Sequence, residues 1–585
     1  MKNIFYSISF FLFLGITMLR CSSENLPFLA GKYIYWLGVL CVVVFGVALK
    51  KNCKSLKINS FDAIILVLAV FGRVHFMLIS KSTIYNSDIW NYIGYVVLYF
   101  ILRNQCSAGE TTIKTLSALL YFCCGSALLN VVLMFLQWKH LMASPNQFFT
   151  STGMFFSPNQ LGVFLSIGCL STLFLWRKAT VFWLKIGLGL CALLIFLGLC
   201  VSASRGAFIS LFVAIGYFLI VSKVKTKPFS KWIMYLGIGV LLAGSFYFIG
   251  IISKNKSEST SGRFFTTQQV LKQIAEQPLG YGLNSFSLEY NKAKASYFEK
   301  NSNWGEMKNA GYIYKANNDL LELTFELGIF WMALFLFLIM MLFWKKSDGI
   351  ETQIGRAILI CLLLFSFTTS IITLPVLMII ASICTIVIVN TTQPKVVYEL
   401  KNHFIFRFLV MGMMVSFAGV LITRITAEYK LFRLYEDKMY LKSESQLQGY
   451  VSKINNAGEE FFMGGLTLIK NGYVNEGFQY LQIGFERSGK PSLGRVLANG
   501  LKQQKKYAQA EKIYRYNKNV EPYRYEARMD LFNLYIETKQ GTKAKAMAQE
   551  IMQLPVKIPS PLIVGYKKQA KAYLSESFVK QKKPL

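Results

Sequence analysis

The sequence contains few of the side chains on which most soluble enzymes depend. Only 16% of its 585 residues are charged, whereas soluble domains average about 25%. It has three histidines, and its eleven cysteines lie in or beside apolar segments without forming a CxxC pair. No Walker-type phosphate loop occurs. These shortages argue against a histidine-rich metal site, a disulfide framework and a Walker-type nucleotide enzyme.

Acidic residues are also scarce, because 63 Lys and Arg stand against 30 Asp and Glu, which gives a formal net charge of +33. The strongest basic clusters lie beside apolar segments, so a nucleic-acid-binding protein is disfavoured. Part of this charge sets membrane orientation, and the remainder suits anionic lipid or phosphate partners.

Long apolar runs dominate the rest of the composition. Hydrophobic residues make up 54% of the chain, and runs near the roughly 20 residues needed to cross a bilayer recur along its first three quarters. We predict an all-α polytopic membrane protein with a transmembrane domain over residues 1–425. The first run lacks a small-residue cleavage site, which favours an anchor over a signal peptide. The predicted spans, about 12–13 in number, are 4–19, 33–49, 61–79, 88–102, 113–138, 160–176, 180–201, 206–222, 232–252, 319–344, 355–372, 375–390 and 404–423.

Lys and Arg are unevenly distributed among the short connections between these runs. One alternate set is rich in them, as in 50–57 and 223–231, and the other has few. The rich set is predicted to be cytoplasmic. The polar segment 253–318 and the connections around Pro158 and Arg205 then face the outside. An odd number of spans places the C-terminal region outside as well.

The polar segment 253–318 interrupts the apolar sequence between two spans. Loops of this length in compact proteins are usually functional or disordered. Aromatic residues occur throughout it, and residues 266–276 form an amphipathic run. We therefore predict an ordered loop. Its Pro278-Leu279-Gly280-Tyr281-Gly282 stretch is typical of a turn in which both glycines can adopt positive φ.

The C-terminal region, 426–585, is charged, favours helix and is self-similar at a spacing of 34 residues. Leu497 corresponds to Leu531, and Ala510 corresponds to Ala544. This period is that of tetratricopeptide repeats, which bind peptides or proteins on a concave face. The alternative is a generic helical bundle. We predict a tetratricopeptide-like domain and hypothesise that it binds a protein partner.

Arginine on the predicted outer side is the main chemical signal. Arg205 lies between two spans with the small residues Ser202, Ser204 and Gly206 around it. A guanidinium group is a permanently charged, forked donor that suits pyrophosphate. The alternative is an arginine that extends to lipid headgroups. Arg263 is less distinctive, because a long polar loop is expected to contain some arginine.

The outer segment Ser157-Pro158-Asn159 stands where the next predicted helix begins. The free backbone N–H groups at the start of a helix favour the binding of an anion. An ordinary helix cap is the alternative.

Four outer segments together resemble a known family, the O-antigen ligase/polymerase superfamily, which includes the bacterial protein O-oligosaccharyltransferases. The resemblance covers about 150–331, and each motif is weak alone, so their order and spacing carry it. The segments are Phe156-Ser157-Pro158-Asn159-Gln160-Leu161-Gly162, Ser202-Ala203-Ser204-Arg205-Gly206, Arg263 with Pro278-Leu279-Gly280-Tyr281-Gly282 and Phe286, and Asn317-Asn318 followed after nine residues by Gly328.

The resemblance implies a donor glycan carried on undecaprenyl pyrophosphate and used at the periplasmic face without a metal or another cofactor. Arg205 and Arg263 would hold the pyrophosphate and stabilise its charge as it leaves. Ser204, Asn159 and Asn318 are the other candidate contacts of the pyrophosphate. The acceptor hydroxyl, on a glycan, a lipid or a protein, would attack the anomeric carbon.

The family's last motif begins with a histidine, thought to be the general base, and this chain has Asn317 there. An amide has no useful basicity. Another group could serve, with Asp319, Glu322 and Glu326 closest in sequence. Alternatively, Asn317 orients the acceptor while the pyrophosphate takes the proton, or the protein has lost transferase activity. The candidate catalytic residues are therefore Asn317, Glu322 and Glu326.

Several functions remain open at this point. A transferase could ligate glycan to lipid A–core, polymerise glycan or modify protein Ser and Thr. A non-enzymatic transporter or scaffold is the competing class. Transporters have broken helices with charges near the bilayer midplane. Apart from the candidate site residues, Asp62 and Arg73 are the charges in the predicted spans that stand out here, and this disfavours a transporter.

Overall fold

A computed structural model gives the structure of the protein. The predicted spans 4–19, 33–49 and 232–252 lie outside the described residues, as does part of 88–102. The residues that it describes are 56–79, 94–96, 98–100, 102–103, 109–146, 148–221, 257–344, 349–392, 396–400, 403–436, 439, 441–454 and 458–581.

The described residues are mostly helical, with very few in strands. They form two compact units, of which the first holds the described residues up to 221 together with 316–426, and the second holds 257–315 and those from 427 onward. The helices are α1 (Ser60–Ile79), α2 (Gly109–Trp138), α3 (Pro158–Lys178), α4 (Phe182–Ser202), α5 (Arg205–Val221), α6 (Ser257–Glu276), α7 (Phe286–Lys300), α8 (Trp304–Met307), α9 (Asp319–Trp344), α10 (Ile350–Ser366), α11 (Pro375–Thr392), α12 (His403–Tyr435), α13 (Glu444–Ile454), α14 (Gly458–Lys470), α15 (Val474–Ser488), α16 (Pro491–Gln503), α17 (Tyr507–Val520), α18 (Glu526–Glu537), α19 (Gly541–Gln553) and α20 (Pro561–Gln581).

The first unit has the architecture of a polytopic membrane protein. Within the described ranges, five helices are long and apolar enough to cross a membrane, namely α3, α4, α9, α11 and the part of α2 from Thr112 onward, and the shorter α5 is also apolar. The predicted all-α class is confirmed. Two strands, β1 (Leu56–Asn59) and β2 (Val396–Leu400), pair antiparallel. The sequence analysis did not predict them.

Helix α10 differs from the predicted span 355–372. It begins at Ile350, where a polar first turn hides the helix from a hydropathy search, and it ends at Ser366. The hydroxyl of Thr368 then donates to the carbonyl of Phe365 at 2.9 Å. Such side-chain bonds to the backbone compete with helix continuation. The residues 367–374 that link α10 to α11 are therefore a short polar connection.

Helix α3 is largely buried, and α2, α4, α5 and α10 all pack against it. Small residues permit this close packing. A Cβ atom on Gly168 would stand 2.5 Å from the Cβ of Ala127, and one on Gly198 would stand 2.6 Å from Val131 Cγ2. The packing fixes where α3 begins, and that end carries one of the candidate motifs.

The second unit contains a helical array whose period agrees with the sequence. Helices α14, α16 and α18 begin at residues 458, 491 and 526, close to the 34-residue spacing. Each helix from α13 to α20 packs against the next. Ala510 and Ala544 are fully buried, as the sequence correspondence requires. The assignment to the tetratricopeptide class stays a prediction.

The loop before α9 packs against this array. Helix α7 lies against α15 and α17. The Tyr312 hydroxyl donates to the carbonyl of Ser488 at 2.8 Å, and Lys557 Nζ donates to the carbonyl of Lys308 at 2.6 Å. Phe265, Phe298 and Met307 join the hydrophobic core of the array. The loop is therefore ordered by tertiary packing.

Candidate functional site

The first two motifs lie side by side in the first unit. Helix α4 ends at Ser202, and Ala203 adopts a left-handed conformation with φ of 49°, so that α5 begins at once with Arg205. A Cβ atom on Gly162 would stand 2.7 Å from the Cβ of Ser204. The glycine of the Pro158-Asn159-Gln160-Leu161-Gly162 segment thus allows direct contact with the arginine motif.

Two buried polar atoms in these motifs have no hydrogen-bond partner among the described residues. Ser204 is only 1% exposed, and its hydroxyl oxygen accepts and donates no bond there. The side-chain oxygen of Gln160 is also buried and also has no hydrogen-bond partner among the described residues. A buried polar atom without a partner costs about 1–3 kcal/mol. A polar ligand that supplied the missing hydrogen bonds would remove this cost.

Ser157 performs the capping function that the sequence left as an alternative. Its side chain accepts the N–H of Asn159 at 3.2 Å, and Pro158 occupies the first helical position of α3. Asn159 itself lies half-buried in the first turn. Arg205 is also half-buried, as the first residue of α5. The cap and an anion site are compatible, because the cap satisfies only one of the free N–H groups.

The last motif forms a tight turn followed by a broken helix. Asn317 is exposed and has a φ of 54°. Asn318 caps α9, because its side-chain oxygen accepts the N–H of Leu321 at 3.1 Å. Glu322 Oε2 accepts the N–H of Ala316 at 2.8 Å. This carboxylate therefore stabilises the turn that presents Asn317.

Gly328, the last residue of this motif, interrupts α9. Its φ of 86° and ψ of 170° lie in a region that is essentially restricted to glycine. The break comes two residues after Glu326, which is buried like Glu322. The structure thus gives a physical reason for a glycine at the end of the motif.

Asp319 and the α10–α11 link complete the site in a way that the sequence analysis did not predict. Asp319 Oδ1 accepts the hydroxyl of Ser370 at 2.7 Å, and its Oδ2 accepts the N–H of Ile371 at 2.6 Å. A Cβ atom on Gly206 would collide with the Oγ1 of Thr368. The polar Thr368-Thr369-Ser370 run between two apolar segments was the available signal.

Arg263 lies exposed on α6 in the second unit. The turn that follows α6 has the backbone predicted for it, with φ of 87° at Gly280 and 100° at Gly282. Phe286 begins α7 and is buried. Joint action of Arg263 and Arg205 on one pyrophosphate stays a prediction.

The first unit brings together three kinds of chemical group. Arg205 is a cation at the start of α5, beside the start of α3. The start of α9 carries the amide of Asn317 and the carboxylates of Glu322 and Glu326. Among the described residues, no group of three or more His, Cys, Asp or Glu is arranged to hold a metal ion. The helix starts and Arg205 suit an anionic group. Glu322 and Glu326 are carboxylates one helical turn apart that could accept a proton.

Residues 190–336 match the family model of the O-antigen ligases. The matched region begins within α4 and ends within α9, so it contains Arg205, Arg263 and the segment from Asn317 to Gly328. It supports the resemblance to the O-antigen ligase superfamily. At the level of the family, it supports a membrane glycan transferase of the ligase or polymerase type. No curated protein and no solved structure gives a match.

Proposed function

We propose that the protein transfers or polymerises glycan from undecaprenyl pyrophosphate at the periplasmic face of a bacterial inner membrane. The observation that carries this proposal is Arg205 at the start of α5, next to the buried hydroxyl of Ser204, which has no hydrogen-bond partner among the described residues. A permanent cation, free N–H groups of a helix start and a hydroxyl donor are the groups that bind a pyrophosphate. The family match across this region supports the same ligand class.

The reaction would be a displacement at the anomeric carbon. The acceptor oxygen forms a bond to that carbon while the bond to the pyrophosphate oxygen breaks, and undecaprenyl pyrophosphate leaves with the electron pair. Arg205 and Arg263 stabilise the charge that develops on the leaving group. The acceptor proton passes to a carboxylate of α9 or to the departing pyrophosphate.

The carboxylates of α9 are unequal candidates for that base. Both oxygens of Asp319 accept hydrogen bonds from residues 370–372, so they serve as structural contacts. One oxygen of Glu322 stabilises the Asn317 turn. Glu326 is buried one turn further along α9. Glu326 is the base in this proposal because it is buried and shares a face of α9 with Glu322, while Glu322 positions Asn317 and Asn317 orients the acceptor.

Alanine at Arg205 or Arg263 is the direct test of the proposal. Loss of a preorganised charge-stabilising group lowers the rate by about 100-fold to 1,000-fold, so we expect surface-glycan and glycoprotein blots of the mutant cells to lose product. Arg177→Ala, at the opposite end of α3, is the matched control and should retain product. Immunoblots must show equal protein levels. Unchanged products in both Arg205→Ala and Arg263→Ala would contradict the proposal.

Glu326→Gln tests the base separately from the pyrophosphate site. The change keeps the shape of the side chain and removes its basicity, and we expect transfer to fall by about 100-fold or more. Asn317→His in the same background supplies an imidazole that can accept the proton near neutral pH. We expect it to restore part of the rate. Full activity of Glu326→Gln would exclude Glu326 as the base and leave Glu322 or the pyrophosphate as proton acceptor.

A further inference from the structure

The α10–α11 link is fixed to three other elements of the first unit over only five residues. Asp319, which is 3% exposed, accepts three hydrogen bonds from it: from the Ser370 hydroxyl at 2.7 Å, from the N–H of Ile371 at 2.6 Å and from the N–H of Ile372 at 3.3 Å. These bonds attach the link to the first residue of α9. Asn317 and Asn318 immediately precede that residue.

The other end of the link contacts the arginine motif. Thr368 lies so close to Gly206 that a Cβ atom there would collide with its Oγ1 and stand 3.2 Å from its Cβ and Cγ2. The Thr368 hydroxyl donates to the carbonyl of Phe365 at 2.9 Å, which fixes its rotamer. Gly206 directly follows Arg205, so the link rests against the start of α5.

A third attachment holds the link from the side of the bundle. The Tyr95 hydroxyl donates to the carbonyl of Ile372 at 3.0 Å. Residues 368–372 are therefore held at Gly206, Asp319 and Tyr95. A short segment held at several points has little freedom to shift one attachment without the others, because protein interiors are close-packed.

We propose that Asp319 is a positioning residue, which holds residues 368–372 as a spacer between the Arg205 motif and the Asn317 motif. The assignment rests on the proposed function for its effect on catalysis. Asp319 touches neither the pyrophosphate nor the acceptor in this role. It fixes the distance between the group that binds the leaving pyrophosphate and the turn that presents the acceptor. Misplacement by about 1 Å can lower a rate 100-fold.

Asp319→Leu changes this spacer with little change of side-chain size. Leucine has no acceptor atom, so it loses the bonds from the Ser370 hydroxyl and from the two backbone N–H groups. In full-length protein reconstituted in nanodiscs with lipid-linked glycan, we expect kcat to fall about 100-fold. The KM for the donor should stay within about threefold, whereas Arg205→Ala should raise it, because Arg205 contacts the donor and Asp319 does not.

Gly206→Ala tests the other end of the spacer, and a second substitution can reverse its effect. The added methyl group meets Thr368, and we expect a loss of at least about tenfold in kcat. Thr368→Ala in the same chain removes the colliding atoms and should recover most of that loss. Gly216→Ala, on the same helix but with open space around its Cβ, is the matched control. A double variant as impaired as Gly206→Ala would overturn the proposal.

Hydrogen exchange distinguishes failure of this inference from failure of the proposed function. In Asp319→Leu, the N–H groups of Ile371 and Ile372 should exchange faster, and so should that of Phe208, which donates to the carbonyl of Ser204 at the start of α5. This result requires no catalysis. Unchanged exchange at Phe208 would refute the spacer even in an active enzyme. If the unchanged protein had no transfer activity but the Asp319 variant still exchanged faster at Phe208, the spacer would be retained and the proposed transferase function refuted.

Discussion

The free energy of unfolding of the second unit is expected to rise with pH between about 7 and 10, and Lys294→Met should abolish this rise. Lys294 is fully buried, and its Nζ donates to Asn291 Oδ1 at 2.7 Å and to the carbonyl of Gly311. Burial lowers the pKa of Lys294 to about 7, although the charge of Glu521 from the array acts in the opposite direction. The lysine is therefore held where its charged form is disfavoured.

The sign follows from proton binding in the two states. The unfolded lysine titrates at 10.5 and the folded one at about 7, so between these values the unfolded chain binds more protons. Unfolding therefore becomes harder as pH rises, by at most about 1.4 kcal/mol per pH unit. Nearby Tyr290 and Tyr312 have pKa values raised by burial to about 12. Their effect on stability begins only near pH 10, where unfolded tyrosine ionises, so it lies above the range in which Lys294 acts.

Pulse proteolysis of the intact protein at pH 6, 7.5 and 9 measures this slope. Lys292→Met is the matched control, since Lys292 is two residues away, exposed and paired with Glu289 at 2.9 Å. It should retain the slope of the unchanged protein. A flat profile in the unchanged protein, or a full slope in Lys294→Met, would show that Lys294 is not the titrating group.

Gly484→Val is expected to destabilise the array by about 3 kcal/mol or more. The facing helices α14 and α15 meet through glycines. A Cβ atom on Gly484 would stand 2.6 Å from the carbonyl oxygen of Gly458 and 2.8 Å from the nitrogen of Phe462. Both are backbone atoms, so no side chain can rotate away. The helices would have to separate and expose core residues.

Gly449→Ala is the control for this change. Gly449 lies within α13, and a Cβ atom on it would have no other atom within 4 Å. Alanine there gains helix propensity of up to about 1 kcal/mol. Thermal unfolding should therefore shift down for Gly484→Val and up for Gly449→Ala. A similar shift of both variants would mean that backbone contact does not decide the packing of α14 against α15.

The sequence predicted those features that depend on local pattern. Apolar length located α3, α4, α9 and α11 to within a few residues. The positive φ values of Gly280 and Gly282 followed from turn composition. The 34-residue correspondence predicted that Ala510 and Ala544 would be buried. In each case, one segment of the chain carries the whole signal.

Features that depend on pairs of distant segments could not be predicted in this way. Nothing local in the loop indicates that Tyr312 donates to Ser488. Asp319 was considered only as a possible base, because its bonds to Ile371 and Ile372 span more than fifty positions of sequence. The pairing of β1 with β2 is equally remote along the chain. Such contacts depend on tertiary packing.

The break at Gly328 divides α9 into two segments, 319–327 and 329–344. A continuous span adapts to a thicker or thinner bilayer by tilting along its whole length. In α9, residues 329–344 can adjust their tilt at a single glycine, while 319–327 keep their direction. Glu322 and Glu326 then remain oriented by their own short segment. We therefore expect the proposed transfer activity to depend little on bilayer thickness.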